Sequence, residues 1–179
     1  MMDKISHTML TCSVNKKLNV EYQFQRKTSS KFNTVREYNN TMYITPSFSM
    51  IIGEPYGSPN RIFIPSKDYF QFVILLDKSV KLVQQYALEL FPNMTSTEFD
   101  IDHRALERFS TEKAMYSNGM SIIPTTWSND VNETFPAIQV TTMNGVCRIP
   151  LEDAMVISQM LSTFDPHTFG LLLLNMIGY

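Results

Sequence analysis

The sequence predicts an α+β fold composed of two ββββα repeats and an extra C-terminal helix. A short motif occurs twice, as Arg61-Ile62-Phe63-Ile64-Pro65 and as Arg148-Ile149-Pro150. Each copy is followed by a segment whose apolar residues have helical spacing. Pro is tolerated at a helix start because the amide hydrogen that it lacks would have no intrahelical partner there. An Asp follows each Pro by three residues (Asp68 and Asp153), where its carboxylate meets the positive end of the helix dipole. Two copies about 85 residues apart indicate an internal duplication.

The length and composition are those of one globular domain. With 179 residues and an apolar fraction of 44%, the chain is predicted to be a single domain over 1–179, with repeats at about 5–92 and 97–164 and a terminal helix at 165–179. No run of eighteen apolar residues occurs, and residues 1–7 lack the apolar stretch of a secretory signal. We therefore expect a cytoplasmic protein with no membrane partner, in the host cytoplasm if the source is a phage.

The two cysteines predict no disulfide framework. Cys12 and Cys147 lie far apart, each in a strand-like run, and they have no metal-ligand spacing. Because a free Cys is usually buried, two buried thiols in a reducing compartment are expected.

The net charge of −2 conceals an uneven distribution. Residues 1–67 hold nine Lys and Arg against four acidic residues, a net charge of +5, and residues 68–179 carry a net charge of −7. One face of the molecule could therefore attract an anion while the remainder keeps the protein soluble.

Four strands and a helix are predicted in the first repeat. Strands are expected at 7–14, 18–26, 41–52 and 61–64. A hairpin loop is expected at 15–17, and the Gly, Pro, Ser and Asn residues of 53–60 predict a turn. The second strand alternates apolar and polar residues cleanly, and the polar, basic segment 27–40 predicts a long loop. Pro46 interrupts the third strand, which predicts an edge or a bulge.

Helical periodicity begins after the fourth strand. Residues 66–91 place apolar side chains at spacings of three and four and add further apolar positions beside that stripe. A helix buried on more than one side is expected, ended by Pro92-Asn93.

The second repeat opens less distinctly. Residues 97–109 predict a short amphipathic helix or an irregular linker. Residues 113–127 predict two strands or one broken strand, turning at Ser117-Asn118-Gly119 and stopped near Pro124.

The remainder of this repeat predicts a hairpin and a helix. After a polar loop at 128–134, strands at 136–143 and 146–149 are joined through Asn144-Gly145, since both residues accept positive φ. A helix is predicted at 151–164.

A terminal helix is predicted from 167 to 176, with Asp165-Pro166 as its N-cap and first-turn pair. Its four consecutive leucines, 171–174, cannot all face one core. The helix is either sandwiched inside the monomer or makes a subunit contact, and we favour the contact.

Two ββββα units with a Pro-containing junction before each helix resemble the Whirly and positive-cofactor-four family of single-stranded-DNA-binding proteins. The resemblance covers nearly the whole chain in element order and length, with Arg61-Ile62-Phe63-Ile64-Pro65 and Arg148-Ile149-Pro150 at the junctions. It implies curved antiparallel sheets packed with helices, nucleic acid lying across the sheets, and helices that join subunits.

Such an interface requires cations for phosphates and exposed aromatic rings for bases. The first repeat supplies both, and the second contains the single tryptophan. The candidate nucleic-acid-binding residues are Lys16, Lys17, Tyr22, Phe24, Arg26, Lys27, Lys31, Phe32, Arg36, Tyr38, Tyr43, Arg61 and Trp127.

Several of these residues have a structural alternative. Tyr22 and Phe24 could form the core face of their strand, and the basic loop could be a solvated connection. Trp127 is equally compatible with a stacking platform and with a core plug. Phe32 and Tyr38 lie in the polar loop and have less reason to be buried.

No enzymatic constellation is evident. Asp100, Asp102, His103 and Glu107 could suggest a divalent-metal site, but their spacing also describes the solvated face of an amphipathic helix. No nucleophile motif, phosphate-binding loop or dinucleotide fingerprint occurs. Neither a cofactor nor a catalytic residue is expected.

The leading hypothesis is a largely sequence-independent binder of single-stranded nucleic acid that serves phage or plasmid replication, recombination or transcription. The expected partner is single-stranded DNA, and RNA is the alternative. The protein would act as a homodimer or tetramer joined through helices 66–91, 151–163 or 166–177. The alternative is a virion or assembly protein whose apolar helices are protein interfaces. An oligonucleotide-binding barrel fits less well because the helices are too prominent for a five-stranded barrel.

Overall fold

The fold is α+β, with two four-stranded antiparallel sheets, a separate two-stranded hairpin and five helices among the described residues. The computed structural model describes residues 4–26, 35–38, 41–44, 46–92, 101–112, 116–117 and 119–176. The predicted class, antiparallel sheets combined with helices, is confirmed.

The first sheet has the strand order β1-β2-β5-β6 and leads directly into a long helix. Its strands are β1 (Lys4–Thr11), β2 (Asn19–Arg26), β5 (Pro46–Gly53) and β6 (Arg61–Pro65), and β6 continues into α1 (Ser66–Gln85). A short α2 (Ala87–Leu90) follows after Tyr86, so the helix predicted over 66–91 is divided in two.

The second sheet has the order β10-β9-β8-β7 and also ends in a helix. The helix α3 (His103–Glu112) precedes its four strands, β7 (Tyr116–Ser117), β8 (Met120–Ser128), β9 (Thr134–Thr142) and β10 (Gly145–Pro150). They are followed by α4 (Leu151–Thr163) and α5 (Pro166–Met176).

The predicted loop at 27–40 is wrong in its second part. Residues 35–38 form β3 (Val35–Tyr38), which pairs antiparallel with β4 (Thr41–Ile44) as a separate hairpin between β2 and β5. The β-branched and aromatic residues of Val35–Tyr38 and Thr41–Ile44 have the propensity for this pairing, although charged neighbours conceal it in the sequence. Residues 27–34 lie outside the described residues.

The prolines at 46 and 124 have roles that differ from the predictions. Pro46 is the first residue of β5, opposite Arg26, and β5 is a central strand rather than an edge. Pro124 lies inside β8 and does not stop it. Because β7 pairs only with Met120 and Ser121, β8 is an edge strand by the time it reaches Pro124, where the missing amide hydrogen costs no ladder bond.

The hairpin between β9 and β10 is displaced by one residue from the prediction. Thr142 pairs with Gly145, so that Met143 and Asn144 form the two-residue loop and Gly145 begins β10. Gly145 has a φ of +134°, which lies in the region that glycine alone adopts readily.

The core lies between the buried faces of the sheets and helices α1 and α4. In the first sheet it is rich in aromatic rings: Tyr22 and Tyr69 share a buried hydroxyl hydrogen bond of 2.7 Å, and Phe24, Phe48 and Phe72 pack in the same core. The alternation predicted for β2 therefore separates a fully buried face from a polar outer face.

Helix α5 packs inside the monomer through one side. The Phe169 ring lies 5.6 Å from Phe24 and 5.1 Å from His7, and Gly170 lies against the Phe24 ring. Asp165 caps the helix as predicted, accepting from the amides of His167 and Thr168. The opposite side leaves Leu171 and Leu172 45% and 58% exposed, so part of the leucine run is available for a further contact.

No helix within the described residues is long and apolar enough to cross a membrane.

The two halves of the chain are connected by a buried carboxylate. Asp153, in the first turn of α4, is 1% exposed and accepts hydrogen bonds from the amides of Ser13 (3.2 Å), Val14 (3.0 Å) and Asn15 (2.9 Å). These amides belong to the turn between β1 and β2, about 140 residues earlier in the chain. A second-half side chain therefore fixes the shape of a first-half turn.

Cys12 and Cys147 are buried free thiols, as predicted. Burial raises the pKa of Cys12 from 9.0 to about 12, assisted by the nearby charge of Asp153, and burial raises the pKa of Cys147 as well. Both groups thus remain protonated, and unreactive towards electrophiles, at neutral pH.

Alkaline pH is expected to destabilise the protein through these thiols. Because the folded pKa of Cys12 lies above the unfolded value of 9.0, its contribution to stability is complete below pH 9 and is lost as the pH rises towards about 12. Urea unfolding at several pH values should show the free energy of unfolding falling above pH 9. In the double variant Cys12→Ala with Cys147→Ala, the free energy of unfolding should begin to fall only nearer pH 10. The remaining pH dependence is that of Tyr22, because burial raises its pKa as well. Rapid labelling of native thiols at pH 8 would contradict this expectation.

Candidate nucleic-acid interface

The outer face of the first sheet is polar and presents one aromatic ring. The pairing register places three rows of side chains on this face, opposite the buried row of Tyr22 and Phe24. The rows are Lys4–Gln25–Ser47, Ser6–Gln23–Ser49 and Thr8–Glu21–Ile51–Phe63. Phe63 is 37% exposed and lines, with Lys4 and the two glutamines, a depression of about 230 Å³.

Arg61 lies on the same side of β6 as Phe63. Gly53 stands opposite it and leaves room for its side chain, since a Cβ on Gly53 would lie only 2.7 Å from the Arg61 Cγ. The guanidinium donates to the Glu54 carbonyl at 2.9 Å and lies over the Tyr56 ring, 5.9 Å from its centroid. Tyr56 is 95% exposed, so this turn displays a cation beside an open aromatic face.

The two sheets meet where β6 begins. The Asn60 side chain accepts from the Arg148 amide at 2.7 Å and donates to the Arg148 carbonyl at 3.3 Å, and the backbone of Asn60 bridges to Val146. A Cβ on Gly145 would collide with the Arg61 carbonyl oxygen, so β10 can approach β6 only through a glycine. Arg61 and Arg148 thus bracket the junction between the sheets.

The outer face of the second sheet repeats the same chemistry. Arg148 is exposed and donates to Gln139 Oε1 at 3.2 Å and to the Thr126 carbonyl at 3.3 Å. Trp127 and Phe135 pair across β8 and β9 with ring centroids 5.9 Å apart, and both are partly exposed. A cation, an amide and two aromatic rings therefore share this face.

A cleft of about 350 Å³ lies between turns from the two halves of the chain; we call it the junction cleft. It is lined by Val14, Asn15, Lys16, Lys17, Glu54, Trp127, Ser128, Asn129, Asp130 and Val131. Lys16 and Lys17 are exposed here, and the Lys17 Nζ lies 3.4 Å from Asp130 Oδ2. Asp153, beneath the turn that carries the lysines, holds that turn in place.

Four of the predicted residues lie at the junction of the two sheets or in the junction cleft. Lys16, Lys17 and Trp127 share the junction cleft, and Arg61 lies at the sheet junction. Trp127 is therefore partly exposed rather than a fully buried core plug.

Tyr22 and Phe24 are corrections to the predicted set. Both are 0% exposed in the core of the first sheet, where the Tyr22 hydroxyl bonds to Tyr69 and Phe24 packs under α5. A buried ring has no face to offer a base. The strict alternation of β2, with apolar side chains facing the core, is the physical reason.

The remaining predicted residues are only partly described. Arg36, Tyr38 and Tyr43 lie on the β3–β4 hairpin, with Arg36 opposite Tyr43, and Arg26 ends β2 opposite Pro46. Lys27, Lys31 and Phe32 lie outside the described residues.

Sequence reasoning missed five residues of the surface: Lys4, Tyr56, Phe63, Phe135 and Arg148. Phe63 was detectable, because period-two alternation in β6 places Arg61 and Phe63 opposite the buried Ile62 and Ile64. Phe135 and Arg148 required the register of β8, β9 and β10, which no local pattern gives.

Comparisons of the chain with protein-family models, curated proteins and solved structures find no match. The surface chemistry of the two sheets therefore decides which function is proposed.

A second kind of surface lies on the helices. Phe70 and Ile74 of α1 are 61% and 55% exposed, and Met155 and Val156 of α4 are 40% and 45% exposed. Large apolar side chains in this number are typical of protein–protein contacts.

No three His, Cys, Asp or Glu side chains in the described part of the chain are grouped to hold a metal ion. Asp102 instead caps α3, accepting from the amides of Arg104 and Ala105.

Proposed function

We propose that the protein binds single-stranded nucleic acid, DNA in the first instance, across the outer faces of its two sheets. Binding would be largely independent of sequence and would serve phage or plasmid replication, recombination or transcription. The observation that carries the proposal is the repeated placement of exposed or partly exposed aromatic rings beside cations: Tyr56 and Phe63 near Arg61, and Trp127 and Phe135 near Arg148.

Each component has a defined part in such binding. Aromatic rings stack on bases of any sequence, and cations neutralise phosphates with release of counterions. The glutamines and serines of the first outer face can donate to phosphate and base oxygens without adding net charge. Because stacking and uncharged hydrogen bonds supply part of the binding, a chain of net charge −2 can bind a polyanion.

The topology supports an arrangement of the Whirly type. In each half a four-stranded antiparallel sheet is followed by a helix, and the two sheets meet at corresponding strands, β6 and β10. We propose that the halves are duplicated ββββα units. Their exposed helix residues, Phe70, Ile74, Met155 and Val156, with Leu171 and Leu172 of α5, would join copies into a homodimer or tetramer.

Removal of the Phe63 ring is expected to weaken binding about tenfold, because a base stack contributes roughly 1–3 kcal/mol. The dissociation constant would be measured by fluorescence anisotropy with a labelled poly-dT of about thirty nucleotides, for Phe63→Ala and for the wild type. Leu88→Ala is the control, because Leu88 is also a large exposed apolar residue but lies on α2, outside the sheets and the proposed subunit contact. It should leave the dissociation constant unchanged.

The salt dependence gives an independent check. The affinity of the wild type should fall as salt rises, and the slope of log K against log salt should decrease by about 0.7 in Arg148→Gln, the value expected for one phosphate contact on a single strand. Lys78→Gln, an exposed cation on α1, should keep the wild-type slope. Flat titrations at micromolar protein, or equal losses in Phe63→Ala and Leu88→Ala, would refute the proposal.

The second candidate is a virion or assembly protein, favoured by the exposed apolar residues of α1, α4 and α5. Sedimentation and the same anisotropy titration separate the two functions. Self-assembly into large particles without affinity for poly-dT would favour the assembly role, whereas a small oligomer that binds poly-dT would favour the first proposal.

A further inference from the structure

We propose that Asp130 acts as an intramolecular competitor of nucleic acid, occupying Lys17 in the junction cleft until a phosphate of the bound strand displaces it. This inference rests on the proposed function and adds to it a built-in restraint on affinity. It also assigns the junction cleft as a nucleotide subsite, with the phosphate between Lys16 and Lys17 and the base against Trp127.

The chemistry of the cleft matches one nucleotide. Two exposed ammonium groups and a partly exposed indole line the same cavity of about 350 Å³. A phosphate requires cations, and a base requires an aromatic face, so both parts of a nucleotide find partners there.

The ion pair between Lys17 and Asp130 joins two turns that are each held by side-chain hydrogen bonds. Asp153 holds the turn of Lys17, and Asn129 Oδ1 holds the turn of Asp130 by accepting from the amides of Val131 (3.1 Å) and Glu133 (2.9 Å). The two backbone segments therefore place Lys17 and Asp130 on facing sides of the junction cleft.

Displacement of Asp130 by a phosphate costs little free energy because the ion pair is solvated. The Lys17 and Asp130 side chains are 63% and 89% exposed, and exposed ion pairs are among the weakest interactions in proteins. The other acid of the cleft, Glu54, is engaged differently: its oxygens accept from Asn15 Nδ2 at 3.4 Å and from Ser58 Oγ at 2.8 Å. Asp130 is thus the acid that competes directly for the Lys17 ammonium.

Asp130→Asn is expected to tighten binding of poly-dT about two- to fivefold at low salt, the range set by one exposed ion pair. The slope of log K against log salt should steepen by up to about 0.7, because in the wild type the displaced Asp130 carboxylate takes up a counterion and so offsets the counterion that the phosphate releases. Asp77→Asn is the matched control, since Asp77 forms an exposed pair of the same kind with Lys81, 2.9 Å apart on α1. Both variants change the net charge equally.

Lys17→Gln provides a second arm. In the Lys17→Gln variant, adding Asp130→Asn should increase the affinity for poly-dT very little, because the cation for which Asp130 competes is absent. All the substituted side chains are exposed or partly exposed, so that each variant is expected to fold.

Trp127 reports on the subsite directly because it is the only tryptophan of the chain. Its fluorescence should be quenched when poly-dT binds, and the quench should saturate at lower poly-dT in Asp130→Asn. Binding by anisotropy without any change in Trp127 fluorescence would overturn the subsite and the part of Trp127 in binding, whereas single-strand binding itself, measured by the anisotropy, would stand. Equal gains in Asp130→Asn and Asp77→Asn would reduce the effect to net charge and overturn the competitor. Absence of binding in every variant would refute the proposed function itself.

Discussion

Replacement of Asp153 by Ala is expected to lower the free energy of unfolding by about 2–4 kcal/mol. Three backbone amides of the turn between β1 and β2 would lose a charged acceptor, and the amide of Asn15 lies in a buried residue where water cannot easily replace it. Urea unfolding followed by circular dichroism would measure the loss.

The adjacent residue supplies the control. Glu152 lies in the same helical turn but is exposed, so Glu152→Ala should change the free energy of unfolding by about 0.5 kcal/mol or less. Because Asp153 also positions Lys16 and Lys17, affinity for poly-dT should fall in Asp153→Ala under conditions where the variant remains folded. Similar stabilities for the two variants would show that the carboxylate does not hold the turn.

The second large effect is expected at the sheet junction. Gly145→Ala should destabilise the protein by about 3–4 kcal/mol, because two costs coincide. The backbone has a φ of +134°, which strains any residue with a Cβ, and the added Cβ would meet the Arg61 carbonyl oxygen. Relief requires β10 to move away from β6, which would also break the contacts between Asn60 and Arg148.

Gly57 separates these two costs. Its φ is +99°, but a Cβ added there would meet nothing within 4 Å. Gly57→Ala should therefore lose only about 1 kcal/mol, the cost of backbone strain alone. Equal losses in the two variants by thermal or urea unfolding would mean that the close approach of β6 and β10 contributes nothing.

Local patterns predicted much of the fold. The Pro junctions at 65 and 150 mark the two places where a strand becomes a helix, and the alternation of β2 identified a strand with one apolar face. These features depend on neighbouring residues, so the sequence displays them directly.

Properties that depend on residues far apart in the sequence could not be predicted from local patterns. Pro124 was expected to stop a strand, yet its strand continues because the neighbouring β7 is only two residues long. Tyr22 and Phe24 were interface candidates with the core face as their alternative; the alternation of β2 places them on one face, and the packing of Phe164 and Phe169 shows that this face is the buried one. In the candidate site, Lys16, Lys17 and Trp127 were named singly, whereas their meeting in one cleft follows from the packing of the two halves.

The long-range carboxylate has a consequence for the order of events during synthesis. The turn at 13–15 gains its acceptor only when Asp153 has been made, and the aromatic core of the first sheet, which α1 covers in part, is completed only by Phe164 and Phe169. Contacts of such large sequence separation are slow to form because their loop-closure entropy must be met first. The N-terminal half therefore emerges from the ribosome with a turn that lacks its acceptor and an aromatic core that is incompletely covered. It must wait for the second half before reaching its final shape.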